Sequence, residues 1–271
     1  MIGPLTDPRA NGGDPADAFH LVIPTLPGFG FSGPVHEAGW DNTRIATAWT
    51  ELMSRLGYER YAVQGGDLGE GVSSEVGRVA TERVVGVHVN GSLGTPYHRP
   101  DEDEKAGLTD LERDRVARVE AFMQDEIGYI SIQSTRPGTL GAALTDSPGP
   151  AGPDHGQVPR VDPPAQRVAG RGHRPRPAAD QRDDLLAYRD GRVVCLRRLR
   201  PGVGVGETRE PSGVPTGAIM FAHDVGIRRY AEVENTITRW TDVEVRGGHF
   251  AALEEPKLLV ADIREFFADL R

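Results

Sequence analysis

The sequence predicts an α/β fold: a mostly parallel sheet flanked by helices, with a helical insertion. Three observations predict it. From Phe19 to Asn90, short apolar runs alternate with amphipathic helical segments, the order expected of parallel strands joined by crossover helices. The strand-like run from Tyr61 ends in Gly65-Gly66-Asp67-Leu68-Gly69, ahead of a helix-prone segment. Far downstream, a strand ending in His223-Asp224 and a loop Gly247-Gly248-His249-Phe250 precede an amphipathic C-terminal helix. In open sheets of this class, chemistry sits beyond the carboxyl ends of strands, where these three features fall.

Taken in order, residues 1–18 are rich in Pro, Asp, Gly and Asn and read as loop. Phe19-His20-Leu21-Val22-Ile23-Pro24 reads as a buried strand stopped by proline. Gly28-Phe29-Gly30-Phe31-Ser32-Gly33 matches the spacing of a dinucleotide fingerprint, but Pro34 follows and no helix opens on the glycines, so the match is rejected. Asp41-Asn42-Thr43 caps a helix carrying Ile45, Ala48, Trp49, Leu52 and Leu56 on one face and ending at Gly57. The strand from Tyr61 and a helix from about Gly69 to Ala80 come next, then the apolar run Val84–Asn90. Asp101 to Glu126 spaces Leu108, Leu111, Val116, Val119 and Phe122 for one apolar face and suits a lid; Asp101-Glu102-Asp103-Glu104 reads as a solvated first turn. Gly128 to Pro137 continues that region, followed by a short helix Leu140–Leu144 and a turn Thr145–Pro148. After the interruption, Val214–Ala222 reads as a strand, Arg228–Val233 as a helix, Val243–Val245 as a strand, and Pro256 opens the last helix. The domain reading is therefore 1–98 core, 99–148 lid, 149–212 an irregular segment, and 213–271 the second part of the core.

The irregular segment differs in composition from the rest. Arginine, proline, glycine and alanine dominate it, and lysine, phenylalanine and isoleucine are absent. It cannot bury enough apolar surface to offset its ordering entropy, so disorder is expected. Such a composition is also what GC-rich codons give in a wrong frame, and two compensating frameshifts are hypothesised around it. The coding sequence tests this: an alternative frame across the segment should encode a well-patterned helix.

The net charge of −9 argues against nucleic acid as a partner. No apolar run is long enough to span a bilayer. No signal-peptide pattern is visible at Met1–Asp7, and the single cysteine, Cys195, excludes an internal disulfide framework, so a reducing cytoplasm is expected. No Cys/His spacing suggests zinc, and no cofactor or metal is expected. A homodimer is one assembly the reading allows.

A small-x-nucleophile-x-small pattern between strand and helix is the signature of a nucleophile elbow, and this one carries Asp67 in place of serine. A carboxylate is nucleophilic once ionised and can displace a leaving group at saturated carbon, leaving an ester that water can cleave. Read alone, Asp67 is equally an N-cap of the helix behind it. Asp224 and His249 change the balance: nucleophile, acid and histidine in that chain order is the arrangement of the α/β-hydrolases. His249 would then deprotonate water, and Asp224 would fix its tautomer.

These residues resemble the epoxide hydrolases of the α/β-hydrolase fold, in particular the microsomal type. The likeness is carried by Leu26-Pro27-Gly28-Phe29-Gly30-Phe31-Ser32, Gln64-Gly65-Gly66-Asp67, Gly128-Tyr129 through Ser134-Thr135-Arg136-Pro137, Leu144-Thr145-Asp146-Ser147-Pro148 and Gly247-Gly248-His249-Phe250. It implies hydrolysis of a small-molecule epoxide to a vicinal diol, with Asp67 as nucleophile, His249 as base and Asp224 as its charge partner. It also implies Tyr129 as one of two lid tyrosines that hydrogen-bond the epoxide oxygen, and the backbone amide of Leu68 as an oxyanion donor. The family's His-Gly-x-Pro motif lies upstream of Met1, so the resemblance implies a chain incomplete at its N-terminus, and its second lid tyrosine is not assigned. Two alternatives stay open: a haloalkane dehalogenase-type hydrolase, which shares the aspartate elbow, and a catalytically inactive hydrolase fragment.

Overall fold

The computed structural model describes residues 1–11, 13–33, 35–37, 39–136, 209–268 and 270, and the chain divides into two compact units. The first comprises Met1–Pro24, Asp41–Ala121 and Gly204–Arg271, and the second Thr25–Trp40 and Phe122–Val203. In the first unit β1 (Tyr61–Gly66), β2 (Val84–Asn90), β3 (Pro215–Phe221) and β4 (Thr236–Val243) form a sheet in the order β1-β2-β3-β4. Every pair is parallel, and Gly66 lies opposite Asn90, Asn90 opposite Ile219, and Phe221 opposite Val243. The carboxyl ends of all four strands therefore open on one edge.

Helices cover both faces because side chains alternate along each strand. On one face, α3 (Leu68–Val79) approaches β2 so closely that a Cβ at Gly77 would lie 2.9 Å from Val87. On the other face, the C-terminal helix (Pro256–Ala268) presents Leu259, Val260, Ile263, Phe266 and Phe267 to Ile219 and Phe221 of β3. Gly86 and Gly217 form the bed for Phe266: a Cβ at Gly217 would sit 2.6 Å from its ring, and one at Gly86 3.1 Å. The same helix is pinned by Asp262, which meets buried His88 of β2 at 2.9 Å and accepts from Arg239 and Thr241 of β4.

Among the described residues, the remaining α-helices are α1 (Ile2–Thr6), α2 (Asn42–Arg55), α4 (Glu102–Ala106), α5 (Asp110–Asp125), α6 (Gly128–Thr135), α7 (Arg228–Ala231) and α8 (Ala251–Glu254), which makes the C-terminal helix α9. α2 begins as the sequence predicts, with the Asp41 carboxylate accepting from the Arg44 amide at 2.8 Å. The segment expected to run unbroken from Asp101 to Glu126 is instead two helices. Thr109 and Glu112 form a reciprocal capping box that starts α5 afresh, Glu112 accepting from the Thr109 amide and Thr109 Oγ1 from the Glu112 amide.

Two strand expectations differ. Phe19–Pro24 is not a strand, for among the described residues no strand lies beside it to form a ladder. It is held by Phe19, whose ring meets Phe267 edge-on with centroids 6.3 Å apart. The last strand covers Thr236–Val243 and ends where Val243–Val245 was expected to begin, because a half-exposed edge strand carries mixed Thr, Ile and Trp in place of a continuous apolar run. Leu140–Leu144, Thr145–Pro148 and most of the irregular segment lie outside the described residues.

In the second unit, Gly28, at φ +89, donates to the Ser32 carbonyl at 3.0 Å around a short 3-10 turn, and on α6 Tyr129 meets Phe122 edge-on.

Gly217→Ala should lower stability by about 1–3 kcal/mol, as overpacked core substitutions do. Urea unfolding checks this, and Phe266→Leu in the same chain should recover part of the loss.

Candidate active site

β1 ends in Gly65-Gly66, and the next residue, Asp67, has φ +54 and ψ −123. This is a sparsely populated conformation for a residue with a side chain, of the kind found at strand-to-helix elbows. Gly65 makes it feasible, since a Cβ there would lie 2.1 Å from the Gly69 carbonyl oxygen. Gly66 is nearly as constrained, its Cβ position lying 2.7 Å from the Asn90 side chain. The small residue on the other side, Gly69, is not sterically required, for an added Cβ there would meet nothing within 4 Å.

Asp67 occupies the N-cap position of α3, yet its side chain makes no capping hydrogen bond. Its Oδ2 meets His249 Nε2 at 3.3 Å, and both side chains are about half exposed. The cap alternative therefore gives way to a carboxylate aimed at an imidazole across the open ends of the strands.

His249 is carried by the loop after β4. That loop runs beside the residues following β3, joined by Ala222 N donating to the Arg246 carbonyl and His223 N to the Gly247 carbonyl, both at 3.2 Å. Gly247, at φ +78, passes so close to Phe221 that a Cβ would lie 2.6 Å from its ring. The Asp67 hydrogen bond and negative charge hold the His249 pKa above its ordinary value, against partial desolvation.

Asp224 is buried at the end of β3, and its Oδ2 accepts from the Phe221 amide at 2.7 Å. Burial raises its pKa, while that hydrogen bond and the His249 charge act the other way. It is within electrostatic reach of His249 but makes no hydrogen bond with it in this structure. Leu68 is the first residue of α3, where backbone amides have no intrahelical acceptor. Tyr129 belongs to the second unit and is 37% exposed. Among the described residues no three His, Cys, Asp or Glu side chains are grouped to hold a metal ion, and no helix is long and apolar enough to cross a membrane.

Sequence reasoning missed three residues around this site. Arg115 is buried on α5, donating to the Gly226 carbonyl at 2.9 Å and pairing with Asp242 at 2.7 Å. Arg118 donates to the Ala222 carbonyl at 2.9 Å, so two arginines hold the loop that carries Asp224. A signal was present: Arg115 falls four residues from both Leu111 and Val119, inside the apolar stripe of α5. Glu70 is the third. Its Oε2 accepts from both the amide and the hydroxyl of Ser92, at 3.1 and 2.6 Å.

Because the raised His249 pKa depends first on Asp67, the pair stabilises the fold fully below the ordinary imidazole pKa, and the contribution disappears as pH rises through the folded value. In Asp67→Asn, His249 should titrate at lower pH than in the unaltered chain, as read by NMR of the imidazole.

No protein-family model matches the chain. It is 36% identical over its whole length to a candidate epoxide hydrolase of Stigmatella aurantiaca, of which it covers 61%. It is 31% identical to juvenile hormone epoxide hydrolase 2 of Ctenocephalides felis, with 97% of the chain and 60% of that protein aligned. The chain thus spans about three fifths of the length of these relatives. Its fold superposes on Aspergillus niger epoxide hydrolase with a TM-score of 0.70 and 26% identity, covering 100% of this chain and 69% of the other. In sequence and in fold, the chain is a homologue of the epoxide hydrolases of the α/β-hydrolase fold.

Proposed function

We propose that the chain carries the site of an epoxide hydrolase that works through a covalent ester on Asp67. The observation that carries this reading is the Asp67 carboxylate, presented at a strained elbow and hydrogen-bonded to His249. An Oδ atom of Asp67 forms a bond to a ring carbon of the epoxide, and the ring C–O bond breaks. The departing oxygen takes a proton as it leaves; Tyr129, by resemblance to the family's lid tyrosines, is assigned as a donor. A phenol that donates where negative charge develops favours the transition state over the ground state.

The second half cleaves the ester. His249 takes a proton from water, the hydroxide adds to the ester carbonyl of Asp67, and as the acyl C–O bond breaks the imidazolium gives its proton to the departing oxygen. The vicinal diol leaves, and the acid proton left on Asp67 returns to the donor phenol, restoring the carboxylate. The Leu68 amide is assigned to the oxyanion formed at that carbonyl, and Asp224 to the charge on the imidazolium. General-base assistance of this kind contributes about 10²–10⁴ in rate.

Single turnover in ¹⁸O-labelled water tests the route. The label should appear in the Asp67 carboxylate and not in the first diol released; label in that diol would indicate direct attack by water and overturn the reading. Asp67→Asn should abolish turnover of styrene oxide. His249→Gln should accumulate a protein heavier by the mass of the epoxide, with hydrolysis of that adduct slowed by about 10²-fold or more. Turnover of a haloalkane without any epoxide adduct would instead support the dehalogenase alternative.

A further inference from the structure

We propose that Glu70 is a positioning residue for the nucleophile: it ties the first turn of α3 to the loop after β2 and keeps a third carboxylate beside Asp67 and Asp224. The inference rests on the proposed covalent route and goes beyond it.

Glu70 stands three residues after Asp67, and its amide donates to the Asp67 carbonyl at 3.1 Å, closing the turn that bears the nucleophile. Its side chain reaches across to Ser92, accepting from both backbone and hydroxyl. Ser92 in turn accepts from Thr95 Oγ1 at 2.5 Å, and its neighbour Gly91, at φ +106, donates to the Ile219 carbonyl of β3. A Cβ at Gly91 would lie 3.7 Å from Asp224 Oδ1. One side chain thus links the nucleophile's turn to the wall against which the acid is packed.

The charge matters as well as the hydrogen bonds. The anionic groups facing Glu70 are Asp67, from its own turn, and Asp224, from the loop after β3. Desolvation first, and these two carboxylates after it, push the Glu70 pKa from 4.5 to about 7, although the Ser92 bonds pull the other way. When Asp67 becomes an ester, its negative charge moves to the departing oxygen and the repulsion from Glu70 is relieved. Attack should therefore be faster with Glu70 ionised. A carboxyl raised in the folded state stabilises least above that raised value, so the fold is least stable where attack is fastest.

The test uses the full chain carrying His249→Gln, which removes the imidazole's own titration and traps the ester. The rate of adduct formation with styrene oxide, followed by mass spectrometry from pH 5 to 9, should rise at least about threefold through a step near pH 7, a modest size because Asp67 is screened by water. Adding Glu70→Gln should keep the Ser92 bonds, abolish the step and leave a flat rate at the low-pH level of the His249→Gln chain, because glutamine is uncharged like the protonated carboxyl. Adding Glu70→Ala should remove the step and lower the rate at least tenfold at every pH. A step that persists unchanged in Glu70→Gln, or a rate in Glu70→Ala equal to that in Glu70→Gln, overturns the proposal.

Complete absence of adduct at every pH would refute the covalent route instead. Thermal melts from pH 5 to 9 then decide the role of Glu70 separately. Glu70→Gln should raise Tm relative to the unaltered chain above pH 7 and not at pH 5; equal shifts at both values would show that no linked carboxylate stands there.

Discussion

The site depends on one backbone constraint, the left-handed φ of Asp67. Such a conformation costs of order 1–3 kcal/mol and persists only where the surroundings over-determine it. Here they do so from three directions. Gly65 lets the chain pass against the Gly69 carbonyl, the Glu70 amide closes the turn onto Asp67, and Asn90 fills the space beside Gly66 while accepting from Gln64 at 3.0 Å. The last of these contacts exists only because β1 and β2 end in register, with Gly66 opposite Asn90. The parallel sheet thus does more than carry the elbow: its register supplies one of the parts that hold the strain.

The acid and the histidine are held by a different device. Their two loops are joined by backbone hydrogen bonds past the ends of β3 and β4. Beneath them, Phe221 packs against α9, and above them Gly247 is pressed onto the same phenylalanine. Arg115 and Arg118 hold carbonyls on either side of Asp224 from α5. Losing one partner of a buried charged contact costs far more than an exposed pair contributes, so Arg115, 3% exposed, outweighs the surface ion pairs of the same helix.

Much of this was legible in the sequence, for identifiable reasons. Strands β2 and β3 are apolar because both faces are covered, and the elbow is marked by a sterically required glycine pair. Helix α2 announces itself by its cap and its Gly57 stop, at φ +82. The misses share a cause: they depend on neighbours distant in sequence. Phe19–Pro24 has the residues of a strand, but a ladder needs a partner. Thr236–Val243 is a strand because β3 lies beside it, not because its own pattern is decisive. Glu70 reads as an ordinary helix-surface glutamate until Ser92, 22 positions on, is seen to receive it.

The hydrogen bond between His249 and Asp67 also resolves an apparent conflict in the proposed cycle. A base must be neutral to accept a proton, yet the structure holds the imidazole's pKa up. The group that holds it up is Asp67, the proposed nucleophile itself. Once Asp67 has been alkylated it bears no charge, and the largest cause of the raised value disappears. His249 is then released from its partner and its proton affinity falls just as water must be activated. Asp224 remains, buried and without a hydrogen bond to the ring in the resting arrangement, and with Glu254 it is an anion in electrostatic reach of the imidazolium. A serine at the elbow, uncharged before attack, would give no such change. In the proposed cycle, a carboxylate there thus supplies the attacking oxygen and also times the base.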